Sequence, residues 1–247
     1  MIQFENVCKS YTQDLFKPSV AALKDISFFL KKGHCLGLIG ANGAGKSTCI
    51  RLLMDFIRPD TGTIRLFGSP PKDCSTRTNI GYLPEVASFP ANLTVLDIIA
   101  FTGISCDIPK AEMDKRSEKF LVLLDLWGVR RRPLRTFSKG MQQRANFVIA
   151  LINDPDLLIL DEPMSGLDPL GRAKIFDLIF NLKKSGKTIL FCSHILEDVD
   201  RLVDNILLLH KGKKLFYGTP QELSAQENKA SMAEAFISFV GKEGAND

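Results

Sequence analysis

The chemistry of this sequence is concentrated in three short stretches. The first, Gly40-Ala41-Asn42-Gly43-Ala44-Gly45-Lys46-Ser47-Thr48, follows the pattern of a glycine, four residues, Gly-Lys and then a hydroxyl residue. Glycines let the backbone turn tightly and approach a ligand with no Cβ in the way. Consecutive N–H groups then form a nest for phosphate oxygens at the positive end of a helix. Lys46 can reach the β- and γ-phosphates of a nucleotide, and the Ser47 hydroxyl can ligate Mg²⁺. The second stretch is Leu157-Leu158-Ile159-Leu160-Asp161-Glu162, four apolar residues followed by two carboxylates. It reads as a buried parallel strand with acids at its C-terminal end, where open α/β sheets bind ligands. Alone, the pair also suits an ordinary strand-to-loop turn. Downstream of a phosphate loop, both a magnesium ion and an attacking water require carboxylates there. The third is His194, just past the apolar run Lys187–Ser193. A lone histidine is usually a surface residue, but the end of a third strand is also a functional address.

Positioning these groups takes alternating strands and helices. Cys35–Ile39 is an apolar run of strand length, and Thr48–Ile57 carries an apolar face at helical spacing, so the phosphate loop has a strand–loop–helix context. Ile2–Tyr11 and Ala22–Leu30 read as strands of a small antiparallel layer, joined by a polar connection from Thr12 to Ser19. Thr63–Phe67 and Ile80–Leu83 are further strand candidates, the latter ending in Pro84-Glu85. From Val86 to about Arg135 strand signals cease. Thr94-Val95-Leu96-Asp97 is a capping box opening a helix through Phe101, and Lys110–Trp127 is a second, amphipathic helix, with Gly103 and Gly128 as stops. Ser138 is a candidate N-cap ahead of a helix over Ala145–Asn153. Asp168 caps and Pro169 opens a helix to Lys184, ended by Gly186. Ile195–Asp204 reads as a helix, Lys211-Gly212-Lys213 as a hairpin turn, and the tail as short helices around Leu223 and Met232–Phe236. The expectation is one α/β domain over residues 1–247: a P-loop NTPase core of mixed sheet and flanking helices, an antiparallel β layer, an inserted α-helical subdomain at about 86–145, and a short tail at about 219–247.

Composition narrows the partners. The chain has 247 residues, 45% hydrophobic and 24% charged, enough to bury a sizeable core. Thirty-two basic against 28 acidic residues give +4, too mild a balance to argue for nucleic acid. The run Arg130-Arg131-Arg132 suits a solvated turn, or else a phosphate or lipid contact. Six cysteines at 8, 35, 49, 74, 106 and 192 have no metal-ligand spacing, which points to a reduced, cytosolic protein. Met1-Ile2-Gln3-Phe4-Glu5 is not a signal peptide, and no apolar run reaches membrane-spanning length. Any membrane role is expected to come through a partner.

Seven motifs in fixed order resemble those of the nucleotide-binding subunits of ATP-binding-cassette transporters, over nearly the whole chain. Tyr11, otherwise readable as a half-buried strand residue, corresponds to the ring that stacks on adenine. The phosphate loop follows. Glu85 falls where the family's switch loop usually has Gln. Phe137-Ser138-Lys139-Gly140-Met141 falls on the signature, usually Leu-Ser-Gly-Gly-Gln. The acidic strand, the turn Ser165–Asp168 and the switch histidine His194 complete the set. The departures at Glu85, Lys139 and Met141, with the tail Met232-Ala233-Glu234-Ala235-Phe236, are similar to the branch that serves drug, antibiotic, polysaccharide and lipid exporters.

The resemblance implies ATP and Mg²⁺ as ligands. It implies two such chains, head to tail, whose two nucleotides each lie between one chain's phosphate loop and the other's signature; both halves of that site are intact here, which favours a homodimer over a heterodimer. Gly40, Asn42, Gly43, Ala44, Gly45, Lys46, Ser47 and Thr48 would bind nucleotide with Tyr11, Ser138, Gly140 and Asp168. Ser47, Asp161 and Glu85 would hold the metal. Glu162 would be the general base, acting with Lys46, Glu85 and His194. A multi-span membrane permease would be the partner, with the cassette on the cytoplasmic face of the membrane. Two alternatives compete. A soluble cassette ATPase acting on ribosomes or DNA is disfavoured, because the chain has one of each motif and no heptad run. A non-catalytic regulatory cassette is disfavoured by the intact Lys46, Asp161, Glu162 and His194.

Overall fold

The computed structural model describes residues 1–12, 19–86, 88–90 and 92–244. Most of the expected Thr12–Ser19 connection and the last three residues of the tail lie outside the described residues. The chain forms two compact units, residues 1–77 with 188–247, and residues 78–187.

In the first unit, β1 (Ile2–Tyr11) lies between β2 (Val20–Leu30) and β4 (Thr61–Leu66) in a three-stranded antiparallel sheet. Its buried residues are Ile2, Phe4 and Val7, a pattern that slips from a period of two. Asn6, with φ 50°, takes up the odd residue as a bulge, so both sides of the slip keep their apolar face inward. Phe4 stacks on Phe28 of β2 with ring centroids 4.6 Å apart. A second, mixed sheet holds β3 (Cys35–Ile39), parallel to β7 (Thr188–Cys192) on one side and to β8 (Asn205–His210) on the other. β8 returns through Lys211-Gly212 as antiparallel β9 (Lys213–Gly218). Every residue of β3 and β7 is buried, which is why both read as unbroken apolar runs. The helices of this unit are α1 (Lys46–Leu53), the short α2 (Cys74–Arg77), α7 (Leu196–Leu202), α8 (Pro220–Gln226) and α9 (Met232–Gly244).

The second unit pairs β5 (Ile80–Leu83) in parallel with β6 (Leu157–Asp161) and carries α3 (Val95–Ser105), α4 (Lys110–Leu123), α5 (Lys139–Leu151) and α6 (Pro169–Lys184). The capping box forms in full: Asp97 N–H donates to Thr94 Oγ1 at 3.2 Å, and Thr94 N–H donates to Asp97 Oδ2 at 2.8 Å. The Thr94 N–H and the Thr94 hydroxyl, which donates to Asp97 Oδ2 at 2.7 Å, hold the Asp97 carboxyl below its ordinary range. Gly103 is not a stop. The helix runs through it to Ser105, and a Cβ at Gly103 would collide with the Met113 sulfur of α4, so the glycine serves close packing. Gly128 lies in a 3-10 turn, Trp127–Val129, beyond the end of α4 at Leu123. Just past that turn Arg130 stacks back on Trp127 at 3.7 Å, while Arg131 and Arg132 are exposed. α5 starts at Lys139, upstream of the expected Ala145, because Ser138 caps it directly. The α6 bounds match the expectation at both ends. Among the described residues no helix is long and apolar enough to cross a membrane.

Candidate functional site

The phosphate loop is built by three glycines in conformations that side chains resist: Gly40 (φ 154°), Gly43 (φ 78°) and Gly45 (φ 113°). A Cβ at Gly45 would lie 2.7 Å from Leu23 Cδ2 and 2.8 Å from Ala22 O, so β2 backs the loop too closely for any other residue. On the β8–β9 side, Gly212 N–H donates to Ala44 O at 3.1 Å. Between these walls the loop opens onto the first turn of α1, whose N-cap Gly45 has no side chain to satisfy the helix amides. Free amides at a helix start are an anion site.

Lys46 donates from Nζ to Gly40 O at 2.6 Å and to Ala41 O at 3.2 Å, holding its charge over the loop. The Tyr11 hydroxyl lies 3.5 Å from Thr48 Oγ1, which brings the aromatic of β1 to the start of α1. Cys49 is fully buried behind the loop. Burial pushes its thiol up to about 12, so it behaves as a small apolar residue and no nucleophile. His194 is exposed just past β7. Its neighbour Ser193 accepts from Ile195 N–H at 3.1 Å, which turns the chain into α7.

In the second unit, Asp161 is the last residue of β6 and is 8% exposed. Glu162 follows in the left-handed region with φ 48°, a conformation that costs free energy for a non-glycine residue and must be held by its surroundings. Ser165 N–H donates to Glu162 O at 3.0 Å, closing the turn. Ser138 Oγ accepts from Met141 N–H at 3.3 Å as the cap of α5, and the residue remains exposed. Gly140 faces Gly166 O, 3.4 Å from where its Cβ would stand, so the start of α5 rests on the Ser165–Asp168 turn. Asp168 Oδ1 accepts from Gly171 N–H at 3.1 Å, so its carboxylate caps α6. Glu85, exposed, shares a cleft of about 150 Å³ with Val86, Lys139, Gln142, Gln143 and Ser165. Among the described residues no three His, Cys, Asp or Glu side chains cluster as a metal cage. Ser47 and Asp161 are hard oxygen donors of the kind Mg²⁺ takes in ones and twos, with water and phosphate completing its shell.

Sequence reasoning missed Gln143. Its amide is buried at 4% exposure and donates to Pro163 O at 3.1 Å and to Glu162 O at 3.4 Å. A signal was present: Gln143, Asn146, Phe147 and Ala150 fall at i, i+3, i+4 and i+7, so a polar residue occupies the inward face of α5.

A glycine-built phosphate nest between a buried parallel strand and a helix, with a second strand ending in two acids, defines a P-loop NTPase fold. Within that class the chain belongs to the ABC transporter family, whose model matches residues 23–165, more than half of the chain. It is 43% identical over 209 residues to an uncharacterised ABC transporter ATP-binding protein of Synechocystis, covering 83% of this chain and 58% of that protein. It is 36% identical over 213 residues to the Nod factor export ATP-binding protein I of Ralstonia nicotianae, covering 85% of this chain and 66% of that protein. The chain therefore spans less than two thirds of these curated relatives. A solved structure described as the ATP-binding subunit of an ABC transporter superposes with a TM-score of 0.89 at 29% identity, covering 97% of this chain and 99% of that one.

Proposed function

We propose that this chain is the ATP-binding and ATP-hydrolysing subunit of a membrane transporter, and that the transporter is an exporter. The observation that carries the reading is the phosphate loop: left-handed glycines, uncapped helix amides and the Lys46 ammonium converge on one anion site. Export is supported by the Nod factor export relative and by the departures at Glu85, Lys139 and Met141.

In this reading the loop amides and Lys46 neutralise the β- and γ-phosphates, and Tyr11 stacks on the adenine. Ser47 and Asp161, with Glu85, hold Mg²⁺, which when bound neutralises phosphate charge. Glu162 takes a proton from the attacking water. The oxygen of that water bonds to the γ-phosphorus as the bond to ADP breaks, and His194 orients the attack. Two copies assemble head to tail, each offering Ser138 and Gly140 to the nucleotide held by the other. Asp168, besides capping α6, lines that contact. The helical segment at about 86–145 couples to a permease on the cytoplasmic face of the membrane, and residues from about 219 form an accessory tail.

The test is Glu162→Gln in a turnover assay with purified protein. ATP should bind with parental affinity while phosphate release falls at least 100-fold, the scale of a lost general base. Parental turnover in that variant removes Glu162 from the mechanism.

A further inference from the structure

We infer that Gln143 is a positioning residue for Glu162, which ties the catalytic carboxylate to the helix that carries the signature. This rests on the reading of Glu162 as the base. Glu162 sits at φ 48°, so its backbone requires outside support. Its carbonyl receives Ser165 N–H at 3.0 Å, and the Gln143 amide reaches it at 3.4 Å and the next carbonyl, Pro163 O, at 3.1 Å. Two carbonyl partners fix which end of the amide faces the turn, since only the NH₂ can donate. The Gln143 side chain is buried, so losing its amide takes a donor from Pro163 O inside the protein and leaves Glu162 O with Ser165 N–H. Gln143 stands on α5, whose N-cap is Ser138 and whose first turn holds Gly140 against Gly166 O. A shift of α5 therefore shifts the carbonyls that set the direction of the Glu162 side chain. Small displacements of a base are costly, because proton transfer needs the acceptor within hydrogen-bond reach of the water.

The experiment is Gln143→Met, which keeps length and apolar packing and removes both N–H groups. Turnover should fall about 10- to 100-fold, the scale of an ångström's misplacement, with ATP affinity within about twofold of parental. In the Glu162→Gln background the same change should cost nothing further, because a residue acting through Glu162 has nothing left to position. Gln143→His, whose Nε2–H reaches about as far as the Gln amide, should restore part of the loss. It also serves as the test should the Met variant unfold. Hydrogen exchange at the Ser165 amide, which reports the turn without any turnover, should quicken in Gln143→Met. Parental turnover, an equal loss of ATP affinity, or an additive loss in the Glu162→Gln background overturns the inference. Should Glu162→Gln itself turn over normally, the base assignment fails instead, and unchanged Ser165 exchange then separately refutes the clamp.

Discussion

Lys46 spends its ammonium on the loop to which it belongs, bonded to Gly40 O and Ala41 O. Those carbonyls are oxygen acceptors, as are phosphates, so the head group exchanges one oxygen partner for another when an anion arrives. The flexible stem makes this exchange inexpensive, and the charge is close to where it is needed before the ligand binds. Hydrogen bonds to a charged group contribute about 1.5–3 kcal/mol. Lys46→Ala should therefore weaken nucleotide binding about 10- to 100-fold in a calorimetric titration. The loop itself should survive, since β2 and the β8–β9 hairpin hold it through Ala22, Leu23 and Gly212. An unchanged affinity would mean that the loop amides alone supply the anion site. Glu162 shows the opposite economy: its position is imposed by a strained backbone and by neighbours on α5 and in its own turn.

Helix ends decide where these residues stand, and most of them follow from local chemistry. The α3 capping box satisfies two otherwise orphaned donors within four residues. Thr94→Ala should cost about 1 kcal/mol in denaturant unfolding at neutral pH. Because the folded Asp97 carboxyl lies below its ordinary 3.8, its contribution is present above that pH and is lost as pH falls through the folded value. The gap between parental and variant should therefore narrow below pH 3.8, and a gap that widens in acid would refute this account. The same locality made α6 legible from Asp168, Pro169 and Gly186. Where sequence reading went astray, the deciding partner was distant in sequence. Gly103 looks like a stop until Met113 of α4 packs on it. At the end of α4, Leu121 and Leu124 are buried, whereas Leu123 between them is 47% exposed. The phosphate loop was readable because all of its parts are contiguous. Gln143 was not, because its value lies in two carbonyls about twenty residues away.

At the scale of the whole molecule, the exposed apolar residues of the second unit argue for a partner. Val86 is 73% exposed, and Phe101 and Ile104, one turn apart on α3, are 71% and 75% exposed. The same helix buries Val95, Ile99 and Gly103 on its other face, so α3 carries apolar groups both inward and outward. Single exposed hydrophobic residues are ordinary, but a helix that is apolar on its solvent side is uncommon unless that side becomes covered. Coverage by a membrane permease agrees with the proposed transporter role and would extend to the exposed Glu85 and Val86, which lie between β5 and α3. Replacing both Phe101 and Ile104 by Asp should leave purified protein with nucleotide affinity and basal turnover within about twofold of parental, since both side chains point into solvent. The same variant, tagged and recovered from gently solubilised membranes, should lose a stoichiometric multi-span membrane protein that the parental chain retains. Equal recovery of that protein by both chains would move the docking surface off α3. Recovery of ribosomal or DNA-repair proteins by the parental chain in its place would instead favour a soluble cassette ATPase.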